Sequence, residues 1–131
     1  MKLRIRGNSI RLRLTQSEVR RLADDGAVQE STDFGGGRRL VYGLRTDDVA
    51  APVVSFDGTT VLVRLPRNVV RRWADGDDVG IEASQPAGEG ASLKILVEKD
   101  FVCIDGPAEE NQDDAFPNPR GAGCDTGRDM R

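Results

Sequence analysis

Residues 1–14 read Met1-Lys2-Leu3-Arg4-Ile5-Arg6-Gly7-Asn8-Ser9-Ile10-Arg11-Leu12-Arg13-Leu14, and the fold is decided there. Apolar and polar residues alternate on both sides of Gly7-Asn8. A period of two is the pattern of a strand with one buried face, and a Gly-Asn pair between two such runs is a tight turn. The stretch is therefore read as a β-hairpin. With the turn at Gly7-Asn8, or slipped by one residue, Met1, Leu3, Ile5, Ile10, Leu12 and Leu14 fall on one face. Lys2, Arg4, Arg6, Arg11 and Arg13 fall on the other. Like charges directly across a hairpin repel, so five clustered cations call for anionic company.

Downstream, Thr15-Gln16-Ser17-Glu18 has the spacing of a helix capping box. It predicts a short helix through Val19, Leu22 and Ala23 that stops near Gly26. Residues 28–34 and 38–45 read as strands around the Gly35-Gly36-Gly37 turn. The order then recurs. Residues 53–56 and 59–65 flank Asp57-Gly58, Pro66 stands where a first helical residue belongs, and Val69, Val70 and Trp73 form an apolar helix side ending near Gly76. Residues 79–83 and the stretch 93–104 supply the last strands. Laying residues 7–30 on 58–81 gives nine identities over 24 ungapped positions, among them Gly7/Gly58, Arg13/Arg64, Val19/Val70 and Val28/Val79. This predicts an internal duplication, with pseudo-repeats of about 1–50 and 51–105.

The expected fold is α+β: a mainly antiparallel β sandwich or partly closed barrel made from two hairpin–helix–strand units, with two short helices. Residues 1–105 are expected to form one globular domain. Residues 106–131 are polar and read as a flexible tail, interrupted by Phe116-Pro117-Asn118-Pro119, which can dock as an extended segment or form a turn.

Composition narrows the chemistry. A net charge of -3 gives no reason to expect nucleic acid as a partner. No apolar run approaches the roughly 20 residues of a membrane-spanning helix, and the N-terminal stretch has no signal-peptide pattern, so the expected setting is cytoplasmic. The sequence has no histidine, which removes the commonest general base and metal ligand. No cofactor is expected. Gly35-Gly36-Gly37 is not a phosphate loop, because no Gly-Lys-Ser/Thr follows.

Three functional readings stay open. The first is a non-catalytic binding module for a small anion or an acidic protein segment, using Lys2, Arg4, Arg6, Arg11 and Arg13, with Arg64 as the repeated counterpart of Arg13. Against it stands a solvated cationic face paired to local carboxylates, with Glu18, Glu30 and Asp33 as candidates. The second is a metal- or thiol-handling protein using Cys103 and Cys124. The third is an enzyme on an anionic substrate, with the arginines as clamp and Glu98 or Asp100 as base. The pairs Arg20-Arg21 and Arg71-Arg72 read as helix-surface groups able to meet Asp24 and Asp75 across a pseudo-twofold.

The opening MKLRIRGNSIRLRLTQSEV (Met1 to Val19), the segment LVEKDFVC (Leu96 to Cys103) and Phe116-Pro117-Asn118-Pro119 followed by Cys124 resemble a family of short, uncharacterised bacterial proteins. The resemblance spans nearly the whole chain and is vaguest over residues 84–92. It implies no activity. It does imply that the tail, with both cysteines, belongs to the protein.

Overall fold

The computed structural model describes residues 1–101, 114 and 116. The alternating N-terminal stretch forms strands β1 (Lys2–Arg6) and β2 (Ser9–Leu14). Gly7, at φ 54°, is the first of two turn residues and no other residue type there takes positive φ, the pattern of a type II′ hairpin turn. Thr15 and Glu18 complete the capping box and open helix α1 (Gln16–Asp25), and Gly26 ends it in the left-handed region at φ 88°. Then follow β3 (Ala27–Gly35), β4 (Arg38–Asp47), β5 (Val53–Phe56), β6 (Thr60–Pro66), helix α2 (Arg67–Asp75), β7 (Gly80–Pro86) and β8 (Ser92–Lys99).

Among the described residues eight strands make two four-stranded sheets, β1-β2-β8-β7 and β3-β4-β6-β5, with two helices. This is the expected α+β architecture, mainly antiparallel, in two layers and without a closed barrel. The units are not self-contained, however. Instead each sheet takes one hairpin from each half of the chain, joined by parallel pairing of β2 with β8 and of β4 with β6. Neither half can complete a sheet alone, because its two hairpins lie in different sheets. At one seam Gln85 of β7 clamps the backbone of Val54 in β5, donating to its carbonyl at 2.9 Å and accepting from its amide at 2.8 Å. At the other, the Met1 ammonium donates to Glu30 of β3 at 3.2 Å.

One buried cluster draws on both sheets and both helices, with Leu12, Leu14, Leu22, Leu44, Val63, Leu65, Val70, Trp73, Ile95 and Val97 fully covered. In the first sheet the inward rows are Leu3–Leu12–Val97–Ile81 and Ile5–Ile10–Ile95–Ala83. In the second, Val28–Leu44–Val63–Val54 is the central inward row.

Several sequence expectations move. Pro66 is the last residue of β6 and the N-cap of α2, not its first helical residue. Its missing side-chain acceptor leaves α2 without the cap that α1 has. The Asp57-Gly58 turn is longer than two residues, since Phe56 pairs with Val61. The Asp57 carboxylate holds that loop by accepting from the amides of Thr59 at 2.9 Å and Thr60 at 2.8 Å. The Val28/Val79 identity does not survive in space: Val28 is buried, Val79 is 45% exposed, and Ile81 takes the inward place. The cause lies at the helix ends. Gly26 turns α1 directly into β3, whereas Gly76 is extended and Asp77-Asp78 lengthen the exit from α2. There the buried Lys99 donates from Nζ to the Gly76 carbonyl at 2.9 Å, placing a cation at the negative end of the helix.

Part of the tail docks. The Gln16 amide donates to the Asp114 carbonyl at 2.9 Å, and Ser17 donates to the Asp114 carboxylate from both its amide and its hydroxyl. The Phe116 ring packs edge-on to Phe101 at 5.9 Å and beneath the Lys99 ammonium at 5.5 Å. Cys103, Cys124 and the remainder of residues 102–131 lie outside the described residues.

Candidate functional site

Strand register sets the outward face of the first sheet. Lys2 pairs with Arg13, Arg4 with Arg11 and Arg6 with Ser9, so the expected cationic face of the hairpin forms as read. Parallel pairing with β8, then antiparallel pairing with β7, extends each pair into a four-strand row. The rows are Lys2–Arg13–Glu98–Gly80, Arg4–Arg11–Leu96–Glu82 and Arg6–Ser9–Lys94–Ser84. Asn8 fixes the turn against β8 by donating from Nδ2 to the Ser92 carbonyl at 2.7 Å.

The rows differ in charge. In the first, one oxygen of Glu98 lies 3.3 Å from Nε of both Arg11 and Arg13. The Glu98 side chain is only 18% exposed and that of Arg13 13%, so this bridge is shielded from water. Asp100, just past β8, pairs with Lys2 at 3.4 Å. The second and third rows line a trough of about 630 Å³, with Arg4, Arg6, Arg11 and Lys94 as cations, Ser9 and Ser84 as hydroxyls, Leu96 as an apolar floor and Glu82 as the carboxylate. That volume suits a small ligand. Among the described residues, the three rows and Asp100 set six basic side chains against Glu82, Glu98 and Asp100, a formal balance of +3.

The carboxylates expected to neutralise the hairpin are used elsewhere. Glu18 sits on the inward side of α1 and accepts from the Met1 ammonium at 2.5 Å and from the Thr15 amide at 2.9 Å. Burial pushes the Glu18 carboxyl up, but these hydrogen bonds and the ammonium charge outweigh it and hold the carboxyl below its ordinary value. Glu30 also faces the ammonium, and Asp33 accepts from the Gly35 amide at 2.8 Å within its own turn. Among the described residues the cationic face instead meets Glu98 of β8, 85 residues from Arg13 in sequence, and Asp100 just past that strand. Sequence reasoning named Glu98 and Asp100 but as catalytic groups. Lys94 and Glu82 were missed, because only the β2–β8 pairing brings them to the hairpin.

Arg64 does not join this set. It lies on the outward face of the second sheet, in the row Ala27–Arg45–Arg64–Val53. Its Nε is buried without a hydrogen-bond partner among the described residues. The arginine repeat therefore places one member on each sheet, not two in one site. The equivalent of the Arg4 row is Ser55–Leu62–Gly43–Gln29, which carries no charge. Arg20 of α1 meets Asp75 of α2 at 3.4 Å, a helix-to-helix pair of the kind the sequence allows, and Asp24 on its own helix at 3.7 Å. Among the described residues no three His, Cys, Asp or Glu side chains gather as a metal site, and no helix is long and apolar enough to cross a membrane.

The chain belongs to a family of unknown function, DUF7009, whose model matches residues 1–120. No curated protein and no solved structure matches it.

Proposed function

We propose that this protein is a non-catalytic binding module that takes a small anion on the outward face of its first sheet. The observation that carries the reading is the three-row array, in which Arg4, Arg6, Arg11 and Lys94 converge on one trough while the second-sheet row equivalent to that of Arg4 and Arg11 carries no charge. Arginine forks offer paired N–H donors matched to phosphate and carboxylate oxygens, and a local positive field concentrates anions even on a chain of net charge -3. Glu98 and Asp100, the carboxylates that an enzymatic reading would use as base, are engaged with Arg11, Arg13 and Lys2, which suits a structural role in offsetting the repulsion between the cations.

The two units are further proposed to be copies of one segment, supported by the nine identities and the shared hairpin–helix–hairpin order. A bacterial cytoplasm is the proposed setting.

The test is calorimetric titration of inorganic phosphate and pyrophosphate at low ionic strength, where surface electrostatics are least screened. The Arg4→Gln/Arg11→Gln double variant is expected to bind at least tenfold more weakly, since each charged hydrogen bond contributes roughly 1.5–3 kcal/mol. Anion binding that survives the double substitution unchanged, or no binding to the wild-type protein, sinks the proposal.

A further inference from the structure

The trough is polar along its width as well as positive. Its β1–β2 side carries Arg4, Arg6 and Arg11, its floor is Leu96 of β8, and its far side on β7 carries Glu82 and Ser84. Glu82 lies in the same row as Arg4 and Arg11, with Leu96 between Arg11 and itself. Neighbouring strands stand about 4.8 Å apart, so two strand spacings, about 10 Å, separate the backbone positions of Arg11 and Glu82. A carboxylate at that distance cannot serve the anionic end of a small ligand. It repels a second anion and accepts hydrogen bonds from a donor.

We infer that the ligand is bipolar: a phosphate or carboxylate bound by Arg4 and Arg11, a short apolar stem over Leu96, and a hydroxyl or ammonium donated to Glu82. This deepens the anion-binding proposal and rests on it. A bare polyanion fits less well, because extending it along the row would bring negative charge to Glu82. Lys94 and Ser84, in the adjacent row, flank the stem and leave room for a further polar substituent.

The experiment compares n-butyl phosphate with 4-aminobutyl phosphate, two probes of equal stem length that differ only in the terminal ammonium. The wild-type protein is expected to bind the amino compound about fivefold more tightly, the ratio given by roughly 1 kcal/mol for an exposed ion pair. Glu82→Gln is expected to bring that ratio close to one while both probes still bind. The ratio is the readout, because removing a carboxylate strengthens anion binding in general. Arg11→Gln, by contrast, is expected to weaken both probes and leave the ratio as it was. Equal affinity of the two probes for the wild-type protein, or a preference that persists in Glu82→Gln, overturns the bipolar ligand while the anion site stands. Failure of both probes and of phosphate to bind overturns the site itself.

Discussion

Replacing Glu98 with glutamine separates the structural role of this carboxylate from the electrostatics of the trough, because the two effects have opposite signs. One Glu98 oxygen bridges Arg11 and Arg13 at 3.3 Å each, in surroundings that exclude much of the water. Exposed ion pairs contribute about 0.2–1 kcal/mol apiece, and a shielded bridge to two guanidinium groups belongs at the upper end of that range, so the folded state should lose about 1–2 kcal/mol. For a domain near 100 residues, each kcal/mol lowers Tm by about 4–8 °C. Meanwhile the substitution removes a negative charge from the row next to that of Arg4 and Arg11, one same-face step or about 7 Å along the strands from an anion seated on that row. At an effective dielectric of about 40, that charge opposes each unit of anion charge by about 1 kcal/mol. Phosphate carries about 1.5–2 negative charges near neutral pH, so its affinity should rise roughly 10–30-fold even as the unliganded protein becomes less stable. Differential scanning fluorimetry across a phosphate series, with calorimetry at low salt, reads both quantities. The expected pattern is a lower Tm without phosphate and a steeper rise with it. A variant that melts lower and binds phosphate no better would refute the reasoning, since it would place the bound anion away from Glu98.

Two further outcomes test the fold. Trp73 is 1% exposed and its Nε1 donates to the Val79 carbonyl at 3.1 Å, so Trp73→Ala should cost about 3–5 kcal/mol in chemical denaturation; a loss under 1 kcal/mol would show that the α2 contact is not part of the core. The Glu18 carboxyl is held below its ordinary value of 4.5 in the folded state, so its contribution is present above that pH and lost as pH falls through the lower folded value. Wild-type stability should therefore fall more steeply below about pH 4.5 than that of Glu18→Gln, and parallel acid-denaturation curves would contradict this.

Much of the site was legible in residues 1–14. Period-two alternation fixes which side chains share a face whatever the exact turn register, and the pairs Lys2–Arg13 and Arg4–Arg11 follow from it. The capping box at Thr15 and Glu18 was equally local, since its partners are three residues apart. The repeat located the second hairpin and helix. It misplaced Val79, because an alignment without gaps cannot register two extra residues at a helix exit.

What the sequence by itself determined, then, is what neighbours along the chain set: the strands, the helices, the capping box of α1 and the cationic face of the first hairpin. Tertiary structure alone decided who stands beside that face. Hydrophobic alternation says that a strand has an inward side, but an inward side is satisfied by any partner of the same pattern, and four hairpins here share it. The parallel pairing of β2 with β8 chose among them. It brought Glu98 to Arg11 and Arg13, carried Lys94 and Glu82 into the trough, and left Arg64 on the opposite sheet, because backbone hydrogen bonds between strands are blind to the charges they bring together.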